Sequence, residues 1–418
     1  MAINQNFLYN YYINLSTIAF LTRVEKLFNL KQKNKKFVIG LMSGTSLDGV
    51  DAALVEITGC GLNTKLKLID FVSPPFPNGL KETVIKNSLP GKGAVTDICR
   101  LNFLLPHLYF DAIKTLLKKA HVSIDKIDLI GTHGQTIHHR PKKENFFGHT
   151  FGSTLQIGDP SVLAKLSGIV TIGDFRVGDI ALGGEGAPLI PYFDYLVFGS
   201  KTKNRILLNI GGISNFTILA KNSSQDEVFA FDTGPGNMLT DFLAKKLFGA
   251  AYDKGGKFAL NGNVDEKLFN DLVKKDKDIE LQPPKSTGRE YYNDLFLDKL
   301  LKKYSYLQPA DLIASVSKLT PYAIYRNYEK FFKDKISVDE LIISGGGAKN
   351  KFFIKHLQNY FGKNVLIKNT DHFGISSDAK EAICFAVLAN ETVSGIPANI
   401  PNVTGAAKKT ILGKICLP

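Results

Sequence analysis

VIGLMSGTSLDGVDAALVEI, residues 38–57, holds two short apolar runs, 37–41 and 50–57, joined by the hydroxyl- and glycine-rich segment 43–49. Runs of this length bounded by Gly, Ser and Asp read as two strands closed by a turn. The same arrangement recurs in RILLNIGGISNFTILA, residues 205–220. Repetition of one supersecondary unit predicts a duplicated architecture. Around these hairpins the apolar pattern predicts strands over 66–72, 127–131, 169–172 and 341–344. It predicts helices over 97–120, with Pro106 as a kink, and over 238–248, 265–275, 293–303, 312–332, 350–361 and 378–393. Strands alternating with helices imply an α/β fold with mixed sheets.

The chain has 418 residues, of which 44% are hydrophobic and 22% charged, an ordinary globular composition long enough for two domains. Disordered, collagen-like and fibrous classes are excluded. Cysteine occurs only at 60, 99, 384 and 416, without a Cys-x-x-Cys pair, so neither a disulfide framework nor a thiolate zinc site is indicated. The net charge of +13 is spread over small groups such as Lys118-Lys119, Lys142-Lys143 and Lys302-Lys303, without interleaved aromatics. No nucleic-acid partner is expected from that pattern.

Residues 1–22 carry no charge, but the apolar run 7–21 is interrupted by Asn10, Asn14, Ser16 and Thr17. It is too short and polar to span a bilayer, and it lacks the basic residues that precede a signal-peptide core. Residues 1–35 are expected to be an N-terminal extension, disordered or a weak amphipathic anchor, with no stable membrane association. The expected lobes are 36–200, carrying the first hairpin, and 201–418, carrying the second hairpin and the glycine triplet 345–347. The lack of an export signal points to the cytoplasm.

Glycine turns between strands let backbone N–H groups converge, a concavity suited to phosphate oxygens, although each taken singly is also an ordinary tight turn. Neither G-x-x-x-x-G-K-[ST] nor G-x-G-x-x-G occurs, so a nucleotide is held in another way. The stretch 38–57 resembles the opening hairpin of the anhydro-N-acetylmuramic acid kinases, members of the actin, sugar-kinase and Hsp70 superfamily. LIGTHGQTIHHRP (129–141), GDFRVGDIALGGEGAPLIP (173–191), LLNIGGISN (207–215), FDTGPGN (231–237) and LIISGGGAKN (341–350) resemble that family's further signatures, in the same order.

The resemblance implies a two-lobed, duplicated actin-like (ribonuclease H-like) ATPase fold with an interlobe cleft. The implied activity is ATP-dependent phosphorylation of 1,6-anhydro-N-acetylmuramic acid with hydrolytic opening of the anhydro ring, as in cell-wall recycling. The products are N-acetylmuramic acid 6-phosphate and ADP. ATP and Mg²⁺ are the implied cofactors, a small amino sugar the partner, and a homodimer the assembly. Gly44, Thr45, Ser46, Leu47, Asp48, Gly49, Val50 and Asp51 would bind the ATP phosphates. Gly211, Gly212, Ser214 and Asn215 would form the second phosphate loop, and Gly345, Gly346 and Gly347 the adenosine-side loop.

Asp48, or Asp51 beside it, could hold Mg²⁺, while an Asx turn before Gly49 explains Asp48 equally well. Asp232 is either a second carboxylate near the metal or a loop cap. The base expected to take a proton from water attacking the anomeric carbon is Asp179, which precedes a small-residue, helix-initiating segment, with Asp174 as its rival. Asp174 stands beside Arg176, as an ion pair or as part of a positioning network. His133, Gln135 and Thr136 belong to the sugar side, and His133 is either a substrate contact or a satisfied buried histidine. Arg140 and Arg176 suit the lactyl carboxylate, since guanidinium meets carboxylate in bidentate geometry, or else form surface salt bridges. Spacing among His133, His138, His139 and His149 lacks the helical zinc pattern. Two alternatives keep the fold: a kinase for another anhydro sugar such as levoglucosan, and a catalytically silent sensor.

Overall fold

The computed structural model describes residues 25 and 27–418, apart from Thr45, Ser46, Arg289 and the side chain of Asp294. Most of the expected extension 1–35 therefore lies outside the described residues. Residues 27–32 are helical, Leu30 is buried, and Lys33 Nζ donates to Asp128 at 2.7 Å.

The chain divides into two units, Met1–Leu196 with Ala379–Pro418, and Val197–Asp378. The boundary expected at 200 is near the observed one, but residues 379–418, expected in the second lobe, belong to the first unit. The reason is a helix, Lys380–Ser394, that packs on the first sheet and is buried along nearly its whole length. A helix apolar all round needs cover on every side, which a sheet face supplies.

In the first unit β1 (Lys35–Met42), β2 (Asp51–Thr58) and β3 (Lys65–Val72) are antiparallel. β4 (Leu129–Thr132) runs parallel to β1. A separate two-stranded hairpin follows, β5 (Gln135–Phe146) with β6 (His149–Ile157). β7 (Thr171–Gly173) is parallel to β4, and the C-terminal strand Lys414–Cys416 pairs antiparallel with it. Side chains alternate across a strand, so Ile39 and Leu41 face the helix Val95–Ala120 while Gly40 faces Lys380–Ser394. Gly40 and Gly131 allow the closest approach: a Cβ would lie 1.8 Å from the Ala382 carbonyl oxygen at the first and 2.1 Å from that of Phe385 at the second. Pro106 lies inside the helix Val95–Ala120 as expected.

In the second unit β8 (Arg205–Ile210), β9 (Ile213–Leu219) and β10 (Phe229–Pro235) are antiparallel, and β11 (Glu340–Ser344) and β12 (Leu366–Asn369) continue the sheet parallel to β8. The order β10-β9-β8-β11-β12 repeats β3-β2-β1-β4-β7. This is the duplicated, mixed-sheet α/β fold expected from the two hairpins. The helix expected over 312–332 is two, Pro309–Ser317 and Leu319–Phe331. Pro321 has no N–H to return to Ser317, which permits the break at Lys318.

Candidate active site

In the first unit the site is built on the loop that follows the short helix Phe175–Ala181. Asp179 lies near the end of that helix, not before a helix as expected, and its side chain is fully buried. Its Oδ1 accepts from Asn399 Nδ2 and from Thr404 Oγ1, both at 2.7 Å, and its Oδ2 from the Gly186 N–H at 2.8 Å. A buried carboxylate is tolerable only when its lone pairs are met in this way.

The Gly186 backbone has a second bond, its carbonyl accepting from Arg176 Nη1 at 2.9 Å. Gly186 holds φ at +66°, where a Cβ would also press on Ile180 and Arg176. Arg176 Nε donates to His133 Nε2 at 3.0 Å, which leaves the His133 proton on Nδ1, donated to the Gly134 carbonyl at 2.9 Å. Burial first, and the Arg176 charge second, hold the His133 imidazole down to about 3, so it stays neutral. Burial also lowers Arg176 to about 10, with Glu381 opposing. His133 thus has both nitrogens engaged and is nearly inaccessible. It acts by holding Arg176, whose remaining Nη donors are the ones suited to an anion.

Asp174 starts the helix with φ at +57° and pairs with Lys414, not with Arg176 as considered from sequence. Gln135 is buried, its Oε1 accepting from Ser43 Oγ at 2.5 Å, which ties the end of β1 to the root of β5. Thr136 Oγ1 accepts from Gln156 at 3.4 Å. Arg140 is exposed on the outer part of β5 and pairs with Glu144 at 2.7 Å, the surface salt bridge that the sequence left open. His139 bonds Thr154 at 3.0 Å and is lowered to about 4 by burial and by Arg176.

The turn between β1 and β2 is anchored from outside itself. Val50 N–H donates to the Pro74 carbonyl, and Phe76 N–H to that of Asp48. Within the turn the Leu47 N–H reaches the Gly44 carbonyl, with Leu47 at φ +55° and Gly49 bridged to Pro75. Thr45 and Ser46 lie outside the described residues. Asp48 is exposed and accepts from Lys81 at 2.7 Å, while Asp51 accepts from Ser73 at 2.6 Å.

Among the described residues no group of three or more His, Cys, Asp or Glu could hold a metal ion. Mg²⁺, however, characteristically takes one or two carboxylates and completes its shell with water and phosphate oxygens. Asp51 and Glu381 fit that demand. Glu381 is open to solvent yet crowded by protein atoms, and this loss of solvation, then the Asp51 charge, push its carboxyl up. A cation between the two would relieve that repulsion.

In the second unit Gly211 and Gly212 close the β8–β9 hairpin, and the carbonyls of that turn are taken by the next helix start. Asn237 N–H donates to Gly211 O at 2.7 Å, Gly236 N–H to Gly212 O at 2.9 Å, and Asn237 Nδ2 to the Ile210 and Gly211 carbonyls. Ser214 is fully buried and its hydroxyl bonds Thr233, Gly234 and Pro235, which removes it as a ligand contact, while Gly212 is the exposed residue of the turn. Asn215 is half-buried opposite Asp232 in the β9–β10 register. Gly345, at φ +79°, and Gly347 pack on Asn209 and Ile210, and Gly345 N–H donates to Ser377. Gly346, between them, lies on the Asn237 side. Asp232 accepts from the Thr287 N–H at 3.0 Å, the loop cap of the two readings, and burial raises it to about 6.

Sequence reasoning assigned no role to Gly186 or Asn237, although both lie inside motifs it singled out. Asn399, Thr404 and Glu381 carried no signal of their own, because the first two meet Asp179 from 220 and 225 residues away and Glu381 faces the charge of Asp51 in the opening hairpin.

Two sheets with five strands in the same order, each with its leading hairpin closed by a glycine-containing turn, give the class of fold: a duplicated, actin-like α/β ATPase fold with mixed sheets. A model of the family described as anhydro-N-acetylmuramic acid kinase matches residues 36–418. An anhydro-N-acetylmuramic acid kinase from Caldanaerobacter subterraneus subsp. tengcongensis is 44% identical over 94% of this chain and the whole of the relative. One from Clostridioides difficile is 46% identical over 91% of this chain and 98% of the relative. Among solved structures, the (R)-2-hydroxyglutaryl-CoA dehydratase component A of Acidaminococcus fermentans is similar at 11% identity and a TM-score of 0.42, over 86% of this chain and 99% of that one, a likeness too loose to carry an argument. The chain belongs to the anhydro-N-acetylmuramic acid kinase family, and it is a kinase.

Proposed function

We propose that the chain phosphorylates 1,6-anhydro-N-acetylmuramic acid at the 6-oxygen with ATP while water opens the anhydro bridge, giving N-acetylmuramic acid 6-phosphate and ADP. The observation that carries this reading is the buried Asp179 carboxylate, linked through the backbone of one residue, Gly186, to the Arg176 guanidinium. Water adds to the anomeric carbon as the bond from that carbon to O6 breaks, and Asp179 accepts the water proton. The released O6 attacks the γ-phosphorus and ADP departs. Arg176 is the group suited to the lactyl carboxylate, and its neutral partner His133 leaves its charge uncompensated for that purpose.

Residues 44–51 of the first unit and, taken separately, the two glycine turns of the second carry backbone N–H groups of the kind that suits nucleotide phosphates. Mg²⁺ would be held by Asp51 with Glu381, with Asp48, the carboxylate expected for it, at the same turn. When bound it neutralises phosphate charge. No helix among the described residues is long and apolar enough to cross a membrane. A homodimer in the cytoplasm is the setting we propose.

The test is a coupled ADP-release assay with Mg-ATP and 1,6-anhydro-N-acetylmuramic acid, run beside levoglucosan, N-acetylmuramic acid and glucose, with mass analysis of the product. A gain of phosphate plus water on the anhydromuramic sugar is the expected result. Sugar binding without turnover would reject the reading in favour of a sensor. Asp179→Asn should bind sugar and ATP yet turn over about 100-fold more slowly, the scale of losing a general base. A wild-type rate in that variant would move the role to Asp174.

A further inference from the structure

The Asp179 carboxylate offers four lone-pair positions, and three of them are filled. Both positions on Oδ1 are taken, by Asn399 Nδ2 and Thr404 Oγ1, and one on Oδ2 by the Gly186 N–H. The one position left is on Oδ2. We propose that Asn399 and Thr404 are positioning residues for the reaction: by occupying Oδ1 they leave Oδ2 as the atom that receives the proton from water. The proposal rests on Asp179 being the base.

The two donors are themselves fixed. Asn399 Nδ2 also donates to the Lys408 carbonyl at 3.1 Å, and its Oδ1 accepts from the Thr410 N–H at 2.7 Å, so the amide cannot turn over without losing bonds. Thr404 has one hydroxyl proton, and the 2.7 Å contact to Asp179 takes it in preference to the Ile400 carbonyl at 3.4 Å. Both residues are about 1% exposed, so their donors are not drawn away from Oδ1 by solvent. The segment that carries them is stitched to the loop after Asp179, with Glu185 N–H donating to Thr404 O and Ala407 N–H to Leu182 O.

All three donors to Asp179 are neutral. The other buried aspartate of this unit that is fixed by a side chain, Asp194, is paired instead with Lys380 at 2.7 Å. A cation on Asp179 would itself occupy the free position and hold the carboxylate against protonation. Neutral donors aim the group without that competition.

The test uses the complete protein with ATP and the anhydromuramic sugar, measuring kcat, both KM values and the thermal unfolding midpoint. Thr404→Val and Asn399→Ala should each lower kcat about 10-fold with both KM values within about 2-fold, as for a misaligned catalytic group. Thr404→Ser keeps the hydroxyl and should return kcat to within about 2-fold of wild type. In an Asp179→Asn background, Thr404→Val should cause no further loss of rate, because its route of action is already gone. A wild-type kcat in Thr404→Val, or an undiminished loss in the Asp179→Asn background, would overturn the proposal. Should Thr404→Val fail to fold, Asn399→Ala and its own combination with Asp179→Asn decide in the same way. A wild-type rate in Asp179→Asn alone would instead remove the base assignment.

Discussion

The two sheets share one strand order but close their leading hairpins differently. Between β1 and β2 the connection runs over residues 43–50, carries Asp48, and is anchored by the backbone of Pro74 and Phe76. Between β8 and β9 it is only Gly211 and Gly212, stapled from the next helix by Asn237. The long turn can present side chains, and it lies in the unit that also holds Asp179, Arg176 and His133. The short turn presents backbone alone. On the function proposed above, one duplicated frame serves in two ways, with acid–base groups in the first unit and a backbone turn for phosphate in the second.

The sharpest way to break this comparison is at the packing that supports each turn. Gly40→Ala puts a methyl against the rigid Ala382 carbonyl, and should destabilise the first unit by about 3 kcal/mol. Gly346→Ala meets only the Asn237 amide nitrogen at 3.6 Å, an ordinary contact, and should cost distinctly less. Chemical denaturation of both variants checks the difference, and equal losses would refute it.

Next in size is the staple itself. Asn237→Ala leaves the Ile210 and Gly211 carbonyls without their side-chain donor, and should raise the KM for ATP about 10-fold with the KM for sugar unchanged. Steady-state kinetics with each substrate varied in turn decides whether the second unit serves the nucleotide alone.

Buried bases and buried acids of the molecule respond to protons in opposite ways. His133, held to about 3 while an unfolded histidine titrates near 6.5, takes up a proton only on unfolding across that window. Its contribution to stability is complete above the unfolded value and is lost as pH falls below it, by up to about 1.4 kcal/mol per pH unit. Asp232 and Asp276 in the second unit, raised to about 6 chiefly by burial, work the other way: their contribution is full below the unfolded carboxylate value and is lost as pH rises through about 6. An NMR titration should find the His133 ring unchanged from pH 8 to 5. A midpoint near 6.5 would show that Arg176 does not hold it.

The smallest effect belongs to the surface. Lys81→Ala removes an exposed partner of Asp48 and should change stability by less than about 0.5 kcal/mol. A larger change by thermal unfolding would show that the long turn is held by its ion pair and not by its backbone bonds.

Much of the frame was legible before the structure. Both leading hairpins, β3, the helix Val95–Ala120 and the helix Met238–Phe248 lie close to where apolar periodicity placed them, because each buries a regular face. The β5–β6 hairpin was not, since it is largely exposed beyond Arg140 and shows no alternation to read. The helix break at Lys318 was missed because the apolar period continues across it.

Within the site, residue type and motif singled out Asp179, Arg176 and His133, but their relations were not accessible from spacing. The rival pairing of Asp174 with Arg176 looked natural at two residues' separation, yet Asp174 meets Lys414 from the last strand. What the amino-acid sequence by itself determined is the family, the duplicated hairpin frame and the set of chemically capable groups, because apolar periodicity and glycine turns act over neighbouring residues. Only the tertiary structure decided which oxygen of Asp179 is committed, which cation His133 holds, and that residues 379–418 complete the first unit. Those outcomes depend on bonds between residues up to some two hundred positions apart, whose direction no local pattern encodes.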